Sequence, residues 1–268
     1  MRIGIIGVGN IGKIILNRLL RTRKVEKDDI IVNSRTKSKI EHLAKRGINI
    51  AKDNREVVEK ADVIFLCVKP QDSGEMFRQI EGAAVDEKMF ISTMVGVKIK
   101  DIAEKTGGKY ITRIMPNVPA MIGKGIIPAT FSRELMENDE KKQEIIWLLS
   151  SLGKVVVIPE KHMAAVTALS GSSPAFVFVV IEALIDAGIR LGLSYDLSRE
   201  LVIETLKGSA ELLQRKGNHP GEFRHIVTSP AGTTIEGIYS LEREGIRGTL
   251  MKTIYDTYQR AKHFEDGN

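Results

Sequence analysis

Hydrophobic and polar positions follow two different rhythms along this chain. Up to about residue 159, short apolar runs typical of buried strands alternate with amphipathic stretches typical of helices. This alternation favours an α/β fold with a doubly wound, Rossmann-type parallel sheet, because parallel strands need helical crossovers. The predicted strands are 3–6, 30–33, 48–51, 63–67, 89–93, 111–115 and 155–158, and 123–131 is predicted as a further strand or hairpin.

From Glu160 onward the strand patterns stop and nearly every segment is helical, punctuated by Gly, Pro and Ser. We therefore predict two domains, a Rossmann-type NADP-binding domain over residues 1–159 and an all-helical substrate-binding and dimerisation domain over residues 160–268. The segment 170–174, with Ser173 as N-cap and Pro174 at the first helical position, predicts a break between two helices. The predicted helices are 11–21, 137–151, 175–191, 195–215, 220–226, 233–244 and 246–262.

The helix predicted at 175–191 is apolar almost all round in its first half. Such a helix must be buried on all sides, and a domain of roughly a hundred residues offers little cover. A partner subunit is the natural cover, so the pattern predicts a homodimer. Glu182 and Asp186, four residues apart, are interpreted as structural hydrogen-bonding groups or as partners of Arg190.

Composition excludes several classes of function. The 268 residues are 43% hydrophobic, and the net charge of +6 comes from Lys and Arg mixed with Asp and Glu, without a basic tail. This mixing indicates a solvated surface with some attraction for anionic small molecules, and it argues against nucleic-acid binding. The five histidines show no ligand spacing with one another or with a cysteine, so we predict no metal.

The sequence also predicts a cytoplasmic protein without a membrane-spanning helix. No apolar run approaches the roughly 20 residues needed to cross a bilayer, since the run that begins at Ala175 is stopped by Glu182. Met1 and Arg2 lead directly into the first predicted strand, which leaves no room for a signal peptide. The only cysteine, Cys67, lies in an apolar run, so a packing role is favoured over a nucleophilic one.

A glycine-rich motif stands between the first predicted strand and the first predicted helix. It reads Gly7-Val8-Gly9-Asn10-Ile11-Gly12, a G-x-G-x-x-G pattern at the start of a β-α-β unit. In this position the glycines allow a tight turn, the approach of a pyrophosphate and close packing of the helix. We therefore predict dinucleotide binding by Gly7, Gly9, Asn10, Ile11 and Gly12.

The end of the second strand indicates which dinucleotide is bound. An NAD-binding fold places an acidic residue there, about 20 residues after the glycines. Here Ser34 and Arg35 follow Asn33, and a hydroxyl with a guanidinium suits a 2′-phosphate. NADPH is predicted, with NADH as the alternative, and Lys37 and Lys39 are read either as further phosphate contacts or as a solvated helix face.

Two loops at later strand ends are expected to border the ligand crevice, because residues just past the carboxyl ends of parallel strands lie there. Val68, Lys69 and Pro70 follow the fourth strand and are predicted to lie along the cofactor. Asn117, between two prolines after the sixth strand, is predicted to present its amide to a nicotinamide or a substrate. An exposed loop lysine and a rigid linker are the alternatives.

The loop 228–234 interrupts the helical pattern and leads into another helix. Its small residues let a ligand approach the backbone, and its hydroxyls and the N–H groups at the start of the next helix can hold an anion. We interpret it as the floor of a substrate site, against the alternative of an ordinary capped turn. The predicted substrate-binding residues are Thr228, Ser229, Ala231, Gly232, Thr233 and Thr234.

Taken together, these motifs resemble the pyrroline-5-carboxylate reductase family along essentially the whole chain. The resemblance rests on the glycine-rich turn and on the segments 68–70, 115–120, 165–172, 181–188 and, most specifically, 227–237. It implies NADPH-dependent reduction of the C=N bond of 1-pyrroline-5-carboxylate to L-proline, the last step of proline synthesis. It also implies that Thr234 and Ser229 are the catalytic residues, and that homodimers assemble further into rings of five.

The sequence departs from the family pattern at a few positions. Ser173 and Ala231 stand where the family usually has glycine, Ala164 where an acidic residue is common, and Ile226 where a polar amide often approaches the substrate. These departures leave open a paralogue that reduces a related cyclic imine acid, and a non-catalytic NADP-sensing protein. A β-hydroxyacid dehydrogenase would need a lysine early in the long helix, and residues 174–186 contain none.

Overall fold

A computed structural model describes residues 1–266 and divides the chain into two compact units. The first unit comprises residues 1–172 together with those from 257 onward, and the second comprises residues 173–256. The predicted domain boundary followed residue 159, whereas the first compact unit continues to residue 172, because Ala164 and Ala168 are buried in it. Residues 267 and 268 of the predicted second domain lie outside the described residues.

The first unit is built on an eight-stranded sheet with the order β3-β2-β1-β4-β5-β6-β7-β8. All neighbouring strands are parallel except β6 and β7. Strands β6 and β7 are antiparallel because the segment that connects them is shorter than the dozen or more residues that a helical crossover needs. The strands are β1 Ile3–Ile6, β2 Ile30–Asn33, β3 Asn49–Ile50, β4 Val63–Leu66, β5 Met89–Ser92, β6 Tyr110–Ile114, β7 Gly125–Phe131 and β8 Gly153–Val157.

Helices cover both faces of this sheet, which confirms the predicted doubly wound fold. Ile3 and Ile5 of β1 contribute to one core cluster, and Ile6 contributes to the other, because successive strand residues point to opposite faces. The α-helices of the first unit are α1 Asn10–Thr22, α2 Glu41–Ala44, α3 Asn54–Lys60, α4 Ser73–Ile80, α5 Ile99–Thr106, α6 Arg133–Met136, α7 Asp139–Leu149 and α8 Met163–Val166.

The second unit contains α9 Ser173–Arg190, α10 Tyr195–Lys216, α11 Pro220–Ile226, α12 Thr233–Arg243 and the first part of α13, Ile246–Glu265. Helices α9 and α10 pack against each other, and a Cβ at Gly188 of α9 would lie 2.5 Å from the Ser198 hydroxyl of α10. Among the described residues 173–256, only Ile185 and Ser198 are buried. This unit therefore has almost no core of its own.

The end of α13 belongs to the first unit and is held there by a buried arginine. Arg113 of β6 is 2% exposed, and its Nη1 donates to Glu160 Oε1 at 2.7 Å. Its Nη2 donates to Glu265 Oε1 of α13 at 3.4 Å. Glu160 also accepts from the Ile99 N–H at 2.8 Å, so one carboxylate joins the sheet to the start of α5.

The predicted helix break at 170–174 is wrong, because residues 160–190 form one helical stretch. A π-helical segment, Thr167–Ser172, lies just before Pro174 and joins α8 to α9 without a break. Pro174 has no N–H to donate to Ser170, four residues earlier, and the Ser170 carbonyl instead accepts from Asn117 Nδ2 at 3.2 Å. By length and composition this stretch is apolar enough to cross a membrane, since an 18-residue window within it has a mean hydropathy of 1.8.

The sequence led us to expect no helix long and apolar enough to span a membrane, and the stretch 160–190 contradicts this expectation on length and composition. The apolar run counted there stops at Glu182, but the helix containing it continues to Arg190 with few charges. A single helix of this kind is weak evidence for a membrane span, because a helix buried inside a soluble protein has the same composition.

Candidate functional site

The glycine-rich turn after β1 has the geometry that its sequence predicted. Gly7 has a φ of +93°, and a Cβ there would lie 2.8 Å from the Cys67 carbonyl carbon and oxygen. A Cβ at Gly12 would lie 2.2 Å from the Gly7 carbonyl oxygen. Gly9 is the N-cap of α1 and carries no side chain, so a ligand can approach the first N–H groups of the helix.

A cleft of about 410 Å³ opens from this turn along the carboxyl ends of β1, β2 and β4. Its position is the one where open α/β sheets bind dinucleotides. Six of the predicted cofactor residues line it, namely Gly7, Gly9, Ser34, Arg35, Val68 and Lys69. The other five do not line it: Asn10, Ile11 and Gly12 form the first turn of α1, Pro70 begins the 3₁₀ turn Pro70–Asp72, and Asn117 follows β6.

Asn117 has a role within the protein that the sequence did not predict. Its Oδ1 accepts from the Ile126 N–H at 3.1 Å, and its Nδ2 donates to the Ser170 carbonyl. Asn117 is buried, and these two bonds hold the segment after β6 against β7 and against the π-helical segment. The amide is therefore engaged in support of the fold, and a cofactor contact through it stays a prediction.

The end of the cleft next to β2 is rich in hydrogen-bond donors. Ser34, Arg35, Thr36, Lys37, Lys39 and Lys52 all line it. Lys37 is not a solvated helix residue, since its ammonium donates to the Ala51 carbonyl at 2.6 Å, the Lys52 carbonyl at 2.9 Å and the Asn33 side chain. Apart from Lys37, three cations and two hydroxyls stand beside a strand end without an acidic residue, and this set fits a 2′-phosphate.

The acidic residues of the cleft are already engaged. Asp53 is the N-cap of α3 and accepts from the Glu56 N–H at 2.8 Å. Asp72 Oδ1 accepts from Arg35 Nη1 at 2.7 Å. Glu75 accepts from Gln79 Nε2 at 3.3 Å. These carboxylates therefore hold neighbouring side chains and helices in place. The hydrogen-bond donors at the β2 end of the cleft give that end its preference for an anionic group.

One side of the cleft is lined by a chain of amides that sequence reasoning missed. Asn33 Nδ2 donates to Asn54 Oδ1 at 2.6 Å, and Asn54 Nδ2 donates to Gln79 Oε1 at 2.6 Å. Lys37 can only donate and Glu75 can only accept, so these two residues fix the direction of the whole chain. Asn33 could have been predicted as a cleft residue because it ends a strand. Asn54 and Gln79 lie on helices, and no sequence motif marks either position.

The single cysteine lies under the glycine-rich turn. Burial raises the pKa of the Cys67 thiol to about 12, so it stays protonated at neutral pH. The residue packs against one of the two core clusters. Its neutral thiol fits the predicted packing role. Among residues 1–266, no three His, Cys, Asp or Glu side chains come together as a metal site.

In the second unit, the predicted substrate residues form one compact turn ahead of α12. The Thr228 hydroxyl donates to the Arg224 carbonyl at 2.5 Å, and the Gly232 N–H donates to the Ser229 carbonyl at 3.1 Å. Gly232 is the N-cap of α12 and lies against Ser229, since a Cβ there would be 2.3 Å from the Ser229 hydroxyl. No side chain caps α12, so the N–H groups of its first turn, beginning at Thr233, are left to bind a ligand.

Ala231 has a φ of +53°, which is the left-handed region that favours glycine. This residue stands where the resemblance led us to expect glycine. The turn therefore keeps a glycine-like backbone while carrying a methyl group. Thr233 is exposed and Thr234 half-buried in the first turn of α12.

Comparisons with known proteins agree with both units. A family model described as pyrroline-5-carboxylate reductase dimerisation matches residues 160–264, and one described as NADP oxidoreductase, coenzyme F420-dependent, matches residues 2–96. Among solved structures, Plasmodium falciparum pyrroline carboxylate reductase with NADP bound superposes with a TM-score of 0.90 at 28% identity, covering 99% of this chain and 98% of that one. The Streptococcus pyogenes 1-pyrroline-5-carboxylate reductase gives a TM-score of 0.87 at 30% identity, covering 98% of each chain.

Curated relatives agree along the full length. The pyrroline-5-carboxylate reductase of Aquifex aeolicus is 39% identical over 98% of this chain and 97% of its own, and that of Glycine max is 35% identical over 97% and 94%. With the glycine-rich cleft in one unit and the dimerisation match in the other, this chain belongs to the pyrroline-5-carboxylate reductase family.

Proposed function

We propose that this chain reduces the C=N bond of 1-pyrroline-5-carboxylate with NADPH and produces L-proline. Family membership over nearly the whole chain supports the reaction. The observation that carries the proposal for this chain is the cleft, in which a glycine-rich turn for a pyrophosphate continues into a donor-rich end for a 2′-phosphate. A related cyclic imine acid is the alternative substrate, since Ala231 and Ile226 differ from the expected loop.

The cofactor is held by residues with distinct roles. Gly7, Gly9 and the first turn of α1, with Asn10, Ile11 and Gly12, bind the pyrophosphate through backbone N–H groups. Ser34 and Arg35 bind the 2′-phosphate, while Val68 and Lys69 lie along the ribose and phosphates. Pro70 sets the direction of that loop, and Asn117 acts as a supporting residue.

The substrate carboxylate binds at the turn before α12. Ser229 donates its hydroxyl, and Thr233 contributes an N–H group at the positive end of the helix, while Gly232, whose N–H donates to the Ser229 carbonyl, lets the substrate approach the turn. Thr228 and Ala231 shape the turn through the hydroxyl bond to Arg224 and the left-handed backbone. These contacts hold the substrate in a fixed orientation toward the cofactor. This orientation contributes more to the rate of reduction than the acidity of any side chain does, because the oriented reactants combine within one complex.

Reduction of the imine requires a hydride at carbon and a proton at nitrogen. When bound, NADPH supplies the hydride. An imine accepts it far more readily once its nitrogen is protonated. Thr234, half-buried in the first turn of α12, guides or relays that proton to the ring nitrogen through its hydroxyl. A threonine hydroxyl is a weak acid, so the proton comes ultimately from solvent.

The assembly is a homodimer formed by the helical unit. The dimerisation match over residues 160–264 and the exposed apolar residues of α9 support this proposal. Five dimers form a decamer in the further assembly that the resemblance suggests. A cytoplasmic location belongs to the same proposal, with the apolar α9 covered by a second copy of the chain and not by lipid.

The reaction is tested by following NADPH oxidation with 1-pyrroline-5-carboxylate. A six-membered cyclic imine acid and a 3-hydroxy acid with NADP⁺ serve as controls. We expect the highest kcat/KM with the five-membered imine and no reduction of NADP⁺ by the hydroxy acid. A higher kcat/KM with the six-membered imine would reassign the substrate, and NADPH binding without turnover on any imine would show a sensing protein.

A further inference from the structure

An ion pair joins two loops of the dinucleotide cleft. Arg35 follows β2 and Asp72 follows β4, and β1 lies between these strands in the sheet. The guanidinium Nη1 and the carboxylate Oδ1 are 2.7 Å apart, and both residues line the cleft. The residue best suited to a 2′-phosphate is therefore already paired with a carboxylate of the same cleft.

The pair with Arg35 does not compete with a helix cap. Asp72 directly precedes α4, but its backbone is helical, with φ −94° and ψ −3°, and it continues the 3₁₀ turn Pro70–Asp72. A capping aspartate has an extended backbone, and the Asp72 carboxylate makes no capping hydrogen bond. Within the described chain, this carboxylate is held by the hydrogen bond from Arg35.

Resting on the proposed use of NADPH, we propose that Asp72 is a positioning residue that competes with the 2′-phosphate for Arg35. When a 2′-phosphate binds the guanidinium, the Asp72 carboxylate loses its partner and is hydrated, since its side chain is 29% exposed. A cofactor with a 2′-hydroxyl does not compete for the guanidinium in this way. Asp72 therefore lowers the preference for NADPH over NADH below the value that Arg35 alone would give.

The strength of the pair sets the size of this effect. The Arg35 side chain is 73% exposed and that of Asp72 is 29% exposed, so solvent screens their attraction. Exposed pairs of this kind change an equilibrium by roughly two- to fivefold. A phosphate takes the guanidinium from such a partner, because charge-assisted bonds from a guanidinium to a phosphate can be bidentate.

The proposal is tested with two nucleotides that lack nicotinamide, adenosine 2′,5′-bisphosphate and AMP. Their affinities are measured by calorimetry at low salt for the full-length protein. We expect Asp72→Asn to raise the ratio of the two affinities in favour of the bisphosphate by roughly two- to fivefold. Asparagine has the same shape without the charge, and the Asp72 side chain makes no capping hydrogen bond that the change could remove, so this variant keeps α4 intact. Asp139→Asn, which breaks an exposed pair with Lys142 outside the cleft, should leave the ratio unchanged.

A double-mutant cycle separates competition for Arg35 from simple repulsion of the phosphate by Asp72. In an Arg35→Gln background, Asp72→Asn should change the ratio clearly less than in the wild-type background. An equal change in both backgrounds would overturn the proposal, as would an unchanged ratio in Asp72→Asn alone. If neither nucleotide binds the wild-type protein, the proposed cofactor site itself fails, which is a separate result.

Salt dependence gives a second readout that a purely structural role of Asp72 would not move. Screening shortens the reach of charges to about 3 Å at 1 M salt. We therefore expect the difference between Asp72→Asn and the wild type to shrink steadily as salt is raised. A difference that is independent of salt would contradict an electrostatic competition.

Discussion

The two units of this chain stabilise themselves in different ways. In the first unit, apolar side chains fill both faces of a sheet, and Phe65 and Phe90 are completely buried. In the second unit, Phe178 is 57% exposed, Val179 64% and Leu191 82%. The first unit has a core that a single chain completes, whereas the second leaves large apolar side chains exposed, which in our proposal a second copy of the chain covers. The dimerisation match over residues 160–264 includes the whole of the unit that lacks a core.

The largest expected effect comes from a charge placed on the exposed apolar surface of the second unit. We expect Phe178→Asp to abolish the dimer, because each copy would bury an unpaired carboxylate at a two-fold interface. At about 2 kcal/mol per copy, the dissociation constant rises about a thousandfold. Light scattering over a concentration series measures this, and NADPH binding to the first unit should persist.

Met136→Asp is the matched control, because Met136 is an exposed apolar residue of the first unit. We expect this variant to remain dimeric. A Phe178→Asp protein that stays dimeric at low concentration would show that α9 is covered in some other way.

A backbone clash in the first unit is expected to act on folding and not on assembly. In Gly12→Ala the new methyl carbon would lie 2.2 Å from the Gly7 carbonyl oxygen, so β1 and α1 must separate. The free energy of unfolding should fall by about 3 kcal/mol. Denaturant unfolding followed by circular dichroism measures the loss.

Gly9→Ala provides the contrast within the same motif. A Cβ at Gly9 would meet no described atom within 4 Å, so stability should be unchanged while the methyl obstructs the pyrophosphate. If both variants lose stability equally, the distinction between packing and ligand approach is wrong.

Chemistry in the second unit should be separable from cofactor binding in the first. We expect Thr234→Ala to lower kcat by roughly 10- to 100-fold, since the hydroxyl that guides the proton is lost. The dissociation constant for NADPH, measured by fluorescence, should stay nearly the same. Thr249→Ala, which removes an exposed hydroxyl from α13, is the control. An unchanged kcat in Thr234→Ala would remove this residue from the mechanism.

The smallest effect concerns backbone strain, which occurs in both units. The described non-glycine residues with positive φ are Arg23 in the first unit and Ala231 in the second. Glycine relieves the left-handed conformation, so Ala231→Gly and Arg23→Gly should each raise stability by about 1 kcal/mol. Ala210→Gly, inside α10, should lower it by about 1 kcal/mol. Thermal unfolding compares the three, and a destabilised Ala231→Gly would contradict the strain.

The local pattern was sufficient to predict most elements of the fold. Period-two and period-3.6 patterns located all eight strands and the long helices, because burial imposes those periods. It was not sufficient at Pro174, where a π-helical segment and the distant Asn117 amide allow the helix to continue. No local signal reports a hydrogen bond between residues 53 positions apart.

Site residues divide in the same way. Gly7, Gly9 and Arg35 were recognisable because a motif fixes their positions relative to a strand end. The hydrogen bonds of the half-buried Lys37 and the amide chain through Asn54 depend on how β3 and α3 approach β2. The sequence near Lys37 does not encode that approach. The predicted roles of the loop 228–234 remain predictions that the variants above test.

The ion pairs of Arg113 determine when the first unit can be completed during synthesis. Glu265 lies almost at the end of the described residues, yet its carboxylate serves a side chain in the middle of the sheet. During translation, all the helices from α9 to α12 leave the ribosome before that carboxylate does. The first unit is therefore begun before the helices of the second unit are synthesised and is completed after them, when the last turn of α13 packs on it.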